Sequence, residues 1–171
     1  MLIESRAVGP FFKNGFVLAC ERMREAVIVD PGDEVAELVA FVEARELAVQ
    51  QILLTHAHID HVTGVGAAKR AFQVPVWLHK DDLFLYERVG QQAAMFGLQV
   101  ELPLPPIDHF YDGSGFAFGD YAVSVHHTPG HCPGGVCLAV TGPDLSAPHL
   151  FVGDTLFAGS IGRTDLPGGD Y

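Results

Sequence analysis

The sequence predicts an α+β domain in which mixed β-sheets are covered by helices. Three observations point there. The chain opens with apolar runs of strand length, passes through strands that alternate with helix-period segments, and finishes in period-two segments. Its 171 residues suit a single domain over 1–171, with no repeat, low-complexity tract or linker to divide it. Hydrophobic residues make up 49% against 18% charged, enough to bury a core without disulfide or metal staples.

The elements follow in chain order. Phe16–Cys20 is apolar, Glu21–Glu25 is a polar turn and Ala26–Asp30 is apolar again, which reads as a hairpin within a first thirty residues of short strands. Pro31-Gly32 stops the second strand. Asp33 can cap a helix to about Leu47, with Val35, Leu38, Val39 and Val42 on one face and Glu34, Glu37 and Glu43 elsewhere. Gln51–Thr55 is a buried strand, followed by a histidine-rich turn and a helix over about 60–72. Val74–Leu78 is a short strand despite Pro75, and 81–97 is helical in two pieces broken at Gly90. Pro103, Pro105 and Pro106 mark a loop. Then Phe116 and Phe118 alternate, as do Tyr121, Val123 and Val125, and Gly135–Thr141 and Leu150–Val152 are further strands. This late run favours two facing sheets over one open doubly wound sheet.

Ten Lys and Arg stand against 21 Asp and Glu, a net charge of −11. Such a surface repels phosphate backbones and anionic lipid, so neither nucleic acid nor membrane is an expected partner. No apolar run reaches membrane-span length and no secretory leader is visible at the N-terminus, which makes the cytoplasm the expected location. Cys20, Cys132 and Cys137 form no CxxC pair and read as small buried hydrophobes.

The chemistry concentrates in three places. Thr55-His56-Ala57-His58-Ile59-Asp60-His61 follows an apolar strand, where loops project from a rigid sheet. Three imidazoles and a carboxylate suit a borderline cation such as zinc. His56 and His58 point the same way and can meet one ion, while Asp60 and His61 open the next helix and point to a neighbouring position. The spacing serves two adjacent sites. The second place is His126-His127-Thr128-Pro129-Gly130-His131-Cys132-Pro133-Gly134-Gly135, a tight loop centred on His131, with one of His126 and His127 expected to face the sheet interior. The third is Gly153-Asp154, where a carboxylate at a strand end can bridge two cations.

HAHIDH, the PGH at Pro129–His131, the Gly-Asp at Asp154 and VIVDPG at Val27–Gly32 together resemble the metallo-β-lactamase fold superfamily, in its order and spacing over almost the whole chain. The resemblance implies a four-layer αβ/βα sandwich of two mixed sheets flanked by helices. It implies that His56, His58 and His131 hold one metal, that Asp60 and His61 help hold a second, that Asp154 bridges and that Asp30 orients the ligand loop. The implied cofactor is Zn2+, one or two ions, with Fe or Mn as alternatives.

Within the superfamily, the best-known β-lactamase type carries Cys where Asp154 stands, which disfavours lactam hydrolysis. The tail from Gly153 to Asp170, with Met95-Phe96-Gly97-Leu98, is similar to compact bacterial glyoxalase II-like thioester hydrolases. That implies hydrolysis of a thioester such as an acyl-glutathione by metal-activated water, with Asp60 or Asp154 orienting or deprotonating the water. Gly162-Arg163-Thr164-Asp165 is shared in style with persulfide dioxygenases, which use one iron, so that activity is the alternative. A catalytically impaired, metal-binding member is the second, because the family normally continues past Asp170 to a last ligand histidine, and the expected domain is truncated in that sense. Beyond Arg88 the only basic residue is Arg163, in a Gly-rich loop, where it is expected to contact the carboxylate of a small anionic thioester, in competition with a surface pair to Asp165 or Asp170. Oligomeric state is left open.

Overall fold

The computed structural model describes residues 1–8, 13–33 and 35–171, so Glu34 lies outside the described residues. Two sheets face each other. The first has six strands in chain order: β1 (Leu2–Val8), β2 (Lys13–Cys20), β3 (Glu25–Val29), β4 (Ala48–Leu53), β5 (Val76–Leu78) and β6 (His109–Phe110). It is mixed: β1, β2 and β3 pair antiparallel, and β3 through β6 run parallel. The parallel crossovers carry α1 (Val35–Ala44), α2 (Ile59–Val62), α3 (Val65–Phe72), α4 (Leu83–Glu87) and α5 (Val89–Phe96). The second sheet orders β10 (His149–Phe151), β9 (Val136–Thr141), β8 (Tyr121–His127) and β7 (Phe116–Phe118), antiparallel throughout. A small hairpin of β11 (Leu156–Phe157) and β12 (Ser160–Ile161) follows.

The first sheet is buried on both faces, which is why β2 and β3 read as unbroken apolar runs. On β2, Val17 and Ala19 face the helices, whereas Leu18 and Cys20 face the second sheet. Leu38, Val42, Val65, Ala68, Leu85 and Val89 complete the helix-side core. Phe118, Val123, Leu138 and Val140 complete the core between the sheets. The second sheet alternates, with Tyr121 and Val123 inward and Ala122 and Ser124 exposed. No described helix covers that outer face, so of the four expected layers the described residues fill three.

Element boundaries differ from the sequence reading for local reasons. α1 stops at Ala44 because Glu46 turns left-handed (φ 51°) and Leu47 N–H closes onto the Val42 carbonyl. The helix expected over 60–72 is two helices, since Gly64 is pressed against Gly32, whose carbonyl oxygen lies 2.0 Å from where a Cβ on Gly64 would fall. The break in 81–97 falls at Arg88 (φ −100°, ψ 17°) rather than Gly90. The β11–β12 hairpin was not expected. No helix among the described residues is long and apolar enough to cross a membrane.

Candidate metal centre

The centre lies where the loops of the two sheets meet. The loop after β4 brings His56 and His58, α2 brings Asp60 and His61, the β8–β9 loop brings His131, and the turn after β10 brings Asp154. His56, His58 and His131 form one group and His56, His61 and Asp154 a second, the offered ligand atoms of each lying within 4.8 Å of one another. Asp154 sits between them, with Oδ1 3.4 Å from His61 Nε2 and Oδ2 3.6 Å from His131 Nε2. Asp60 Oδ2 is 3.6 Å from His61 Nε2. All six residues singled out in the three motifs therefore converge.

The outer nitrogens are fixed by hydrogen bonds that decide the tautomers. His61 Nδ1 donates to Asp30 Oδ2 (2.9 Å), which turns Nε2 toward Asp60 and Asp154. His131 Nδ1 donates to the Arg163 carbonyl (2.7 Å), so its Nε2 lone pair points at His58 Nδ1, 2.7 Å away. Two imidazole nitrogens at that distance need a proton or a cation between them. Asp30 accepts from Thr55 N–H (2.7 Å) and Thr55 Oγ1–H (2.6 Å), and Thr55 Oγ1 in turn lies 3.1 Å from His56 Nδ1. Asp30 thus orients His61 directly and His56 through Thr55. It does so from a left-handed backbone (φ 47°), a strained conformation that aspartate tolerates better than most residues.

The donor set fits a cation. His56 Nε2 and His61 Nε2 are buried without a hydrogen-bond partner, costly for imidazole nitrogens unless a cation meets them, and His58 Nδ1 faces His131 Nε2. Burial, reinforced by the neighbouring imidazoles, pushes His56 well below the usual histidine pKa and His58 down to about 3, which keeps both in the neutral, ligating form. Burial works against a charge on His61, but the carboxylates of Asp30, Asp154 and Asp60 outweigh it and raise its pKa to about 9. Burial raises Asp60, Asp154 adds to the rise and His61 opposes it. For Asp154, burial is outweighed by the hydrogen bond and charge of His61, with His131 and His58, and its carboxyl is held below the usual range.

A cavity of about 680 Å³ opens over the centre, with Leu85, Met95, Phe157 and Leu166 among its apolar walls and Lys13 and Arg163 among its polar ones. Arg163 is at the cavity, but its guanidinium is held by Asp165 through Nε (2.6 Å) and Nη2 (2.7 Å). The tail also buttresses the histidine loop, because Asp170 N–H donates to the Gly130 carbonyl. Neither His126 nor His127 faces the sheet interior: both are exposed, with His126 beside Ser124 and His127 Nε2 donating to the Pro133 carbonyl. Cys132 is buried outside both ligand groups, and burial with Asp82 nearby raises its thiol pKa far above the usual value.

Two supporting residues were not read from the sequence. Asp82 is fully buried and accepts from Ala57 N–H (2.9 Å) and Gly134 N–H (2.6 Å), tying the two histidine loops together. Gln92 on α5 accepts from Ile59 N–H and donates to the Ala57 and Leu85 carbonyls, clamping the HAHID turn. Asp82 follows the strand end that carries His79, a polar position next to apolar Leu83, and that was the available signal.

Residues 8–171 match the metallo-beta-lactamase superfamily model. The chain belongs to the metallo-β-lactamase superfamily. It is 35% identical over 162 residues to hydroxyacylglutathione hydrolase GloC of Haemophilus influenzae, covering 94% of this chain and 74% of that protein. It is 33% identical over 164 residues to the probable metallo-hydrolase YqgX of Bacillus subtilis, covering 95% and 75%. Among solved structures, TTHA1623 in a di-iron-bound form superposes with a TM-score of 0.82 at 38% identity, covering 98% of this chain and 79% of that one. The B3 metallo-β-lactamase BLEG-1 gives 0.81 at 36%, covering 99% and 79%.

Proposed function

We propose that this member of the superfamily is a metal-dependent hydrolase of thioesters, with a small anionic thioester such as an acyl-glutathione as substrate. The observation that carries the reading is the placement of Asp154, whose two oxygens face the His61 and His131 nitrogens at the floor of a largely apolar cavity. The hydroxyacylglutathione hydrolase name of the Haemophilus relative supports the thioester class.

In this reading His56, His58 and His131 hold one cation, and Asp60, His61 and Asp154 offer a second position. A bound cation supplies Lewis acidity, which lowers the pKa of water toward neutrality and polarises a carbonyl. The protein does the rest. Asp30 and the Arg163 carbonyl fix which imidazole nitrogens face inward. Asp154 or Asp60 orients the attacking water and takes its proton. The apolar walls strip solvent from the acyl chain and strengthen each local charge. A thiolate leaves readily, so no strong general acid is required. Arg163 at the cavity is the proposed anchor for the substrate carboxylate, which must compete with Asp165 for the guanidinium. No nucleophilic Ser or Cys is needed.

The test is to strip the protein with chelator, reload it separately with Zn2+, Mn2+ or Fe2+, and follow thiol release from acyl-glutathiones. Metal-dependent release supports the proposal. Oxygen uptake with glutathione persulfide, seen only with iron, would establish the dioxygenase reading instead. Turnover of a β-lactam without thioester cleavage would favour the chemistry named for BLEG-1. Stoichiometric metal binding without turnover would make this a binding-only member.

A further inference from the structure

Lys13 opens β2 and is only 7% exposed, the one buried lysine or arginine among the described residues. It has no part in the ligand set, yet it lines the same cavity as Asp60, His61 and Asp154. Its Nζ donates to the Asp30 carbonyl. A Cβ placed on Gly32 would fall on both Lys13 Nζ and the Asp60 carbonyl oxygen, so the ammonium and the Asp60 backbone flank one spot. Gly32 holds a left-handed φ of 41° there, and the missing side chain is what leaves room for the lysine.

Burying an ammonium is unfavourable unless charge repays it. Burial is the larger effect and lowers the Lys13 pKa, while the carboxylates of Asp30, Asp60, Asp33 and Asp154 oppose it and favour the protonated amine. The two halves of the centre therefore differ. His56, His58 and His131 offer three imidazole donors and no carboxylate. The Asp60–His61–Asp154 half offers carboxylates whose field is already shared with a covalently attached cation. A divalent ion entering that half meets the repulsion of the ammonium and finds part of its attraction spent.

We propose that Lys13 is a built-in counter-cation of the centre, held on the Asp30 carbonyl in the cavity that Asp60 and Asp154 also line and standing in place of a second metal, so that the chain holds one tightly bound ion, on His56, His58 and His131. This rests on the metal-centre reading above. It concerns how many ions the centre takes, which is independent of what it hydrolyses.

Metal stoichiometry tests it. The chelator-treated protein is loaded with excess Mn2+ or Zn2+, passed through a desalting column and analysed for metal per chain. Mn2+ samples are also examined by electron paramagnetic resonance. The wild type is expected to keep about one ion, with the signal of an isolated Mn2+. Lys13→Gln is expected to keep close to two, with a coupled-pair signal and a second-ion dissociation constant lower by about tenfold or more. Lys13→Arg, which keeps the charge, is expected to behave as the wild type. Two tightly held ions in the wild type would overturn the proposal without any variant. Equal second-ion affinity in wild type and Lys13→Gln would overturn it as well. Failure of the wild type to hold any ion would instead sink the metal-centre reading itself. Should Lys13→Gln not fold, the wild-type stoichiometry and the Lys13→Arg comparison still decide.

Discussion

An Asp82→Asn substitution isolates what holds the two histidine loops in register. Asp82 is wholly buried, and its oxygens accept from Ala57 N–H at 2.9 Å and Gly134 N–H at 2.6 Å. Ala57 lies between His56 and His58, and Gly134 lies three residues past His131. Hydrogen bonds to a charged acceptor contribute about 1.5–3 kcal/mol each. Asparagine keeps the size and one acceptor oxygen, but its amide NH2 faces the other loop's N–H. One bond is lost and one buried donor is left unsatisfied, for a total of about 2–4 kcal/mol. A domain with about 5–15 kcal/mol of stability survives that loss. We expect the urea midpoint of the metal-free protein to fall. We also expect zinc affinity, measured by competition with a chromophoric chelator, to drop by about 10- to 100-fold, the equivalent of about 1.4–2.8 kcal/mol. A stability loss of that size with unchanged zinc affinity would refute the reasoning, because the loops would then hold their places without the carboxylate.

Thr55→Val removes the hydroxyl between Asp30 and His56, and should cost about 1–3 kcal/mol in urea unfolding together with a measurable drop in zinc affinity. The metal-free protein should be most stable near pH 6.5 in thermal melts across pH 4–9. His61, raised to about 9, contributes fully below its unfolded value near 6.5, and the contribution is lost as pH rises through about 9. His58, lowered to about 3, contributes above 6.5 and loses that contribution as pH falls toward 3. A stability that climbs steadily from pH 5 to 9 would contradict a charged His61. Arg163→Ala should raise KM for an anionic thioester about tenfold and spare an uncharged one. Metal content should hold, because His131 bonds the Arg163 backbone carbonyl and not its side chain. Equal effects on both substrates would remove the anchoring role.

The sequence revealed the candidate ligands more clearly than the residues that support them. His56, His58 and His61 are legible because their spacing is fixed by one short turn, and His131 and Asp154 because each closes a strand with a glycine-shaped loop. The helical faces of Val35, Leu38 and Val42 were legible for the same reason, since periodicity is local. Asp82, Gln92 and Lys13 were not, because each works across a distance in the chain: Asp82 joins loops 25 and 52 residues away. Nothing local distinguishes such a carboxylate from a solvated one. The break at Gly64 was hidden for a related reason, as it comes from contact with Gly32 and not from helix propensity.

The histidines after β4 belong to the first sheet, and His131 and Asp154 belong to the second. A cation held by both is a rivet through the seam between two layers, and its affinity is set partly by how well the layers seat on each other. Phe118 and Leu138 fill that seam, 1% and 0% exposed, and belong to neither ligand group. Loosening the seam by trimming either side chain should show first as easier loss of metal, with unfolding to follow, so chelator resistance becomes a gauge of packing between the sheets.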